Sequence, residues 1–102
     1  MISLTMTKTN RLMIYVDDMY KYSIGRFRLM KMSHMIADDH DELIDFAKRI
    51  GLNVEWIQKE GTHFEHFDVS ISMRKKAVAA GAVEISYRQL GNMMFERGKK
   101  ES

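Results

Sequence analysis

The chain has 102 residues, enough for one domain with one modest core. Its 45% hydrophobic and 29% charged residues give the balance of a folded globular protein, not of a disordered one. A net charge of +2 is too small to argue for nucleic acid by itself, and the lack of cysteine excludes a disulfide framework and any thiolate metal site.

Residues 1–10 are polar and threonine-rich and read as a flexible lead-in. They lack the basic-then-apolar layout of a secretory signal. No apolar run approaches the roughly 18 residues of a membrane span. The expectation is a cytoplasmic protein without membrane contact. Ten methionines in so short a chain suit the filling of irregular core gaps.

A single α/β domain is expected over residues 11–97. Arg11 to Asp17 forms the first strand, because Leu12 to Val16 is apolar without alternation. Asp17 and Asp18 follow where that strand emerges, an edge at which open α/β sheets bind ligands. Met19 to Gly25 reads as a loop. Arg26 to Met32 alternates and then turns apolar, as a second strand with one partly exposed face. Ser33 and His34 follow, and Met35 to Ala37 leads into a helix.

Asp39 and Glu42 resemble a capping box, with Asp38 the other candidate N-cap, and Leu43, Phe46, Ala47 and Ile50 recur at helical spacing. Lys48 and Arg49 oppose the helix dipole in the last turn, and Gly51 stops it. Asn53 to Gln58 is expected as a third strand and Lys59 to Glu65 as a polar loop. Phe64 to Val69 is too short and mixed to assign. Ser70 or Ser72 caps a second helix running to Ala80, stopped by Gly81. Val83 to Ile85 is a short fourth strand. Ser86 and Gln89 make a capping box for a last helix with Leu90, Met93 and Met94 as its apolar stripe. Residues 98–102 form a charged tail.

This order predicts a mixed, largely parallel sheet of about four strands flanked by three helices, with strands two, three and four parallel through right-handed crossovers. The short connection after strand one favours an antiparallel hairpin with strand two. Asp17 would then lie at the edge opposite the loop that follows strand three.

Tyr15-Val-Asp-Asp18, Ser33-His-Met-Ile-Ala-Asp38, His66-Phe-Asp-Val69 and Ala80-Gly-Ala-Val83 occur in that order. In these pieces, spanning about Met13 to Ser86, the chain resembles a small family of bacterial and phage proteins catalogued as domain of unknown function 4031. The family more often has tyrosine where this chain has Phe67. Relatives often carry a proline soon after the first acidic motif, and this chain has none. The resemblance supports the choice of residues and implies no activity.

Asp17, His34, His66 and Asp68 are the candidate ligands of a divalent metal, a nitrogen and oxygen donor set. No H-x-x-x-H or H-E-x-x-H spacing accompanies them. Hydrogen-bonded structural histidines are the plainer reading of the same letters. His34, His66 and Asp68 are also the candidate catalytic groups, with histidine suited to general acid chemistry near neutral pH. Asp17, Asp18 and Arg74 are the candidate ligand-binding residues, Arg74 because arginine binds phosphate with two parallel bonds near a helix start. An exposed ion pair would equally explain Arg74.

Lys21, Arg26, Arg28 and Lys31, interleaved with Tyr20, Tyr22 and Phe27, suit single-stranded nucleic acid or simply a solvated strand face. Tyr15-Val-Asp-Asp18 has the letters of the reverse-transcriptase catalytic motif, but 102 residues cannot hold a polymerase palm with fingers. No nucleophile elbow, dinucleotide fingerprint or P-loop occurs. The expected function is therefore a polar Asp/His/Arg site for a phosphate-bearing small molecule, extending to metal-assisted phosphoester hydrolysis. The alternative is a non-enzymatic phage or bacterial accessory protein that binds a host protein or nucleic acid.

Overall fold

A computed structural model describes residues 13–22, 26–27 and 30–101. The expectations for the lead-in, for Arg11 and Leu12, and for Arg28 and Leu29 lie outside the described residues. In chain order the elements are β1 (Ile14–Val16), a 3-10 turn (Met19–Lys21), β2 (Arg26–Phe27), β3 (Met30–Ala37) and α1 (His40–Ile50). A second 3-10 turn (Val54–Trp56), β4 (Phe67–Ser70), α2 (Ile71–Ala79), β5 (Val83–Glu84) and α3 (Tyr87–Glu101) complete the chain.

Three helices surround a mixed sheet of four strands in the order β4–β3–β1–β5, with β2 pairing the first two residues of β3. The α/β class and the single domain agree with the sequence. The expectation of a largely parallel sheet is corrected: among the described residues β1 with β5 is the one parallel pair, and β3 runs antiparallel to β1, β2 and β4. The expected hairpin of strand one with the strand after the short connection is also corrected: that connection leads to β2, which pairs with β3, and the antiparallel partner of β1 is Met35–Ala37, expected as the lead into a helix.

The cause of the error lies at Asn53. Its side chain accepts from the Glu55 N–H at 2.9 Å and curls the expected third strand into the 3-10 turn Val54–Trp56, with Trp56 61% exposed. The chain therefore reaches no parallel strand after α1. It continues through the 59–65 loop, bridges once between Gln58 and His66, and enters β4 antiparallel to β3. The unassigned Phe64–Val69 stretch thus supplies the missing strand.

Register then sorts the side chains. Val16, Met35 and Phe67 are paired across β1, β3 and β4 and are fully buried. Val69 joins them on the same face, and α1 lays Leu43, Phe46, Ala47 and Ile50 against it, with Ala77 from α2. Successive residues alternate between faces, so His34 and Asp68, which are directly paired, project from the other side of the sheet. Part of that second face is covered by α3, whose Leu90 is buried and whose Arg97 bonds the Ala37 carbonyl at the end of β3.

Local chemistry fixes the helix ends. Asp39 accepts from the Glu42 N–H at 2.8 Å, and Ser70 accepts from Met73 N–H at 3.2 Å. Ser86 and Gln89 form the reciprocal capping box, at 3.0 and 2.8 Å. Gly51 and Gly81 take the left-handed conformation (φ 86° and 112°) that closes α1 and α2. In each case the next N–H reaches back five residues, from Leu52 to Ala47 and from Ala82 to Ala77.

The α1 cap is exposed and unshared, so Asp39→Ala should lower stability by about 1 kcal/mol in urea denaturation. Glu42→Ala should cost much less, because Glu42 contributes its backbone N–H to the cap. Asp38 does not replace Asp39, since its carboxylate already accepts from Met13 N–H at 2.8 Å. Equal losses for the two variants would contradict this start of α1.

Candidate functional site

The site grows out of a row across the sheet. Asp17 lies one residue beyond β1 and donates its N–H to the His34 carbonyl at 3.1 Å. His34 pairs in turn with Asp68 on β4. Asp17, His34 and Asp68 are thereby neighbours on three adjacent strands, and His66 stands two residues before Asp68 on the same side.

Asp17 is completely buried. One carboxylate oxygen accepts from the His34 N–H at 2.9 Å and the Met19 N–H at 3.2 Å. The other is 2.8 Å from the His34 Nδ1. A buried carboxylate acts only as an acceptor, so this contact places the ring proton on Nδ1 and leaves Nε2 as the available nitrogen. His66 is held in the same sense. Its Nδ1 is 2.7 Å from the Phe64 carbonyl, which can only accept.

The two imidazoles meet edge to face with centroids 4.9 Å apart. His34, His66 and Asp68 each offer one metal-ligating atom, and these atoms all lie within 4.8 Å of one another. His66 Nε2 is 3.4 Å from the Asp68 carboxylate. Burial pushes the His66 imidazolium towards deprotonation. The Asp68 hydrogen bond, the Phe64 carbonyl and the charges of Asp68 and Asp17 outweigh burial, so its pKa is raised above the ordinary histidine value. The His66 hydrogen bond holds Asp68 below the usual carboxylate range, against the opposing effect of burial.

The remaining candidates take supporting positions. Asp17 stands behind His34 as its anchor and does not share the open side with Asp68. The Asp18 carboxylate accepts from Tyr87 N–H at 2.7 Å and fixes the start of α3. Arg74 is buried in α2, with Nε on the Asp17 carbonyl at 2.8 Å and Nη1 on Glu84 at 3.0 Å. Its guanidinium lies 5.1 Å from the Tyr20 ring centre. These bonds knit α2 to β1 and β5 and commit two of its donors within the fold.

Two contributors escaped the sequence reading. Tyr87 stacks on His34, with centroids 6.0 Å apart and rings 13° from parallel. Its position directly after the Ser86 cap was the available signal, but nothing local says what a first-turn tyrosine faces. Glu65 is nearly buried and accepts from Gly61 N–H at 3.1 Å and contacts His40 Nδ1 at 2.6 Å. It ties the loop carrying the Phe64 carbonyl to the start of α1.

A family model described as "Protein of unknown function (DUF4031)" matches residues 14–97. No curated protein and no solved structure matches the chain. The matched stretch contains Asp17, His34, His66, Asp68 and Tyr87, so the whole row lies within it. Among the described residues, no helix is long and apolar enough to cross a membrane.

The opposing influences on His66 give a testable pH behaviour. In the wild type its ring should titrate above 6.5, and in Asp68→Asn it should titrate lower, because burial then meets less opposition. The pair also links stability to pH. The raised His66 contributes fully below 6.5 and loses its contribution as pH rises through its folded pKa. The depressed Asp68 contributes above 3.8 and loses its contribution as pH falls through its own. The stability difference between wild type and Asp68→Asn should be greatest between those pH values and shrink at alkaline pH. Ring-proton NMR and urea melts across pH check both; an unchanged His66 titration would disprove the coupling.

Proposed function

Because the chain belongs to the DUF4031 family, whose description assigns no activity, we propose its function from its own side chains. It is a metal-dependent phosphoester hydrolase, with His34, His66 and Asp68 as ligands of one divalent cation. The observation that carries this reading is the matched orientation of the two imidazoles. Each is tied at Nδ1 by an acceptor, Asp17 or the Phe64 carbonyl; His66 Nε2 lies 3.4 Å from the Asp68 carboxylate, and one ligating atom of each of His34, His66 and Asp68 falls within 4.8 Å of the others. Metal-ligating histidines are commonly held in this way, since the second bond fixes the tautomer and raises ligand basicity.

Two imidazoles and a carboxylate suit zinc, manganese or iron. A divalent cation held there would polarise a phosphoryl oxygen and lower the pKa of a water towards about 7, so that the water oxygen would form the new P–O bond as the ester P–O bond broke and the alcohol left with the water's proton. Asp17 holds His34 in position, the loop pinned by Glu65 holds His66, and Tyr87 shields the His34 ring from solvent. The phosphate is recruited by the cation, since Arg74 spends two donors inside the fold. The reading carries with it the cytoplasmic location and the bacterial or phage origin expected from the sequence.

Calorimetric titration with zinc and with manganese tests the site. One equivalent should bind near neutral pH, and affinity should collapse below about pH 6 as the histidines take up protons. His66→Gln should abolish most of the affinity. Asp17→Asn should weaken it by about 10- to 100-fold while circular dichroism remains that of the folded protein. The loaded protein should hydrolyse bis(p-nitrophenyl) phosphate. Absence of metal binding at any pH would leave the non-enzymatic accessory reading in its place.

A further inference from the structure

Among the described residues, six large hydrophobic side chains are conspicuously exposed: Met13, Tyr22, Trp56, Phe64, Tyr87 and Phe95. Four of them gather in two grooves beside the histidine cluster. One groove, of about 550 Å³, is lined by Tyr22, Ser86, Tyr87 and Arg88. It adjoins His34 through the Tyr87 ring stacked upon it. The other, of about 520 Å³, is lined by His63, Phe64, Gly91, Phe95, Gly98 and Lys99. It adjoins His66 through Phe64, whose carbonyl holds the His66 ring.

We propose that these two grooves hold the bases of a single-stranded nucleic acid whose backbone crosses the His34–His66–Asp68 cluster. The inference rests on the hydrolase reading for the role of the cluster, and it names the substrate class as a single-stranded phosphodiester. Three observations favour this occupant. Each groove pairs aromatic rings with a cation, Arg88 in one and Lys99 in the other, and neither is lined by an acid. That combination suits a stacked base with an adjacent phosphate and would leave a basic or acidic peptide half matched. The spacing also fits. Tyr87, Gly91, Phe95 and Gly98 follow at intervals of four, four and three along one side of α3. Helix rise separates Tyr87 from Phe95 by about 12 Å, close to two nucleotide steps of an extended strand. Finally, the second groove is open where it needs to be: a Cβ at Gly91 would meet nothing within 4 Å. The absence of a side chain there leaves room for a flat ring beside Phe95.

The sequence offers Lys21, Arg26, Arg28 and Lys31 with Tyr20, Tyr22 and Phe27 as either nucleic-acid contacts or a solvated strand face. Of that set, Tyr22 lines a groove at the site. The greater part of the surface proposed here comes from α3 and the 59–65 loop.

Fluorescence anisotropy with a short fluorescein-labelled oligothymidylate, in the presence of EDTA, tests the grooves apart from the metal. The wild type should bind, with affinity falling as salt rises. Phe95→Ala should weaken binding by about 5- to 100-fold, the effect of losing one stacked base. Gly91→Leu should weaken it comparably by filling the groove. It should do so without loss of thermal stability, because leucine is the better helix former. Both variants should titrate zinc as the wild type does. His66→Gln should lose zinc and still bind the oligonucleotide in EDTA. A wild type that binds zinc and hydrolyses bis(p-nitrophenyl) phosphate but ignores the oligonucleotide would overturn this inference alone. Oligonucleotide binding without zinc binding would instead remove the hydrolase reading and keep the grooves. Unchanged affinity in Phe95→Ala and Gly91→Leu, or equal affinity for a duplex of the same length, would also overturn the inference.

Discussion

A buried carboxylate at the end of β1 constrains the rest of this molecule. Asp17 has no solvent to stabilise its charge, and an unpaired carboxylate in a protein interior costs several kcal/mol. The fold answers with two backbone N–H groups, one imidazole and, on the Asp17 carbonyl, the Arg74 guanidinium. Each partner belongs to a different part of the chain. Met19 opens the 3-10 turn, His34 lies in β3, and Arg74 comes from α2 and reaches on to Glu84 in β5. Removing the carboxylate would leave the Met19 N–H, the His34 N–H and the His34 ring unsatisfied together, while Arg74 holds the backbone carbonyl of the same residue, so the site and the fold are fastened at the same point.

The register of β3 makes the hydrophobic core and the polar site two sides of one arrangement. Val16, Met35 and Phe67 meet on the face covered by α1 and α2, while Asp17, His34 and Asp68 meet one residue along on the other. A slip of one residue in either pairing would send a histidine or a carboxylate into the apolar layer and bring a methionine or phenylalanine out. Burial of Met35 and Phe67 therefore places His34 opposite Asp68. The Asp17–His34 bonds specify the same register as this apolar pairing.

The parts of this fold that were legible in the sequence are those whose causes lie within one helical turn. Asp39, Gly51, Ser70, Gly81 and the Ser86–Gln89 box mark their helix ends through bonds of two to five residues. The apolar spacing of α1 selects its buried face unaided. Strand pairing was another matter. The β3–β4 ladder joins His34 to Asp68 across 34 residues, and nothing in either segment names its partner or direction. A two-residue side-chain bond at Asn53 was enough to convert an expected strand into a turn and with it a parallel sheet into an antiparallel one. His34, His66 and Asp68 were each identified from residue type, and the fold brings them together. Asp17 was placed among the ligands because sequence reveals a carboxylate without revealing which way it faces. Tyr87 was missed because its neighbour His34 lies 53 positions earlier in the chain.

The histidines of this protein also differ in how completely the fold satisfies them. His40 contacts Glu65 through Nδ1 at 2.6 Å and lies 3.7 Å from Glu60 through Nε2. With carboxylates on both sides, and its pKa raised chiefly by the Glu65 hydrogen bond, it clamps the loop to α1. His34 is treated otherwise. Its Nδ1 faces a fully buried carboxylate, and among the described residues no hydrogen bond engages its Nε2. A histidine present only to fill a polar gap is most stable with both nitrogens bonded. Holding one nitrogen rigidly while the ring stands edge to face against a second histidine beside a carboxylate gains nothing for stability. It does lower the reorganisation needed to receive an electrophile at that point. His66 is held at Nδ1 by a backbone carbonyl in place of Asp17, and its Nε2 lies 3.4 Å from the Asp68 carboxylate inside the cluster. The free Nε2 of His34 beside that histidine–carboxylate pair is the physical ground for treating this cluster as a site and His40 as structure.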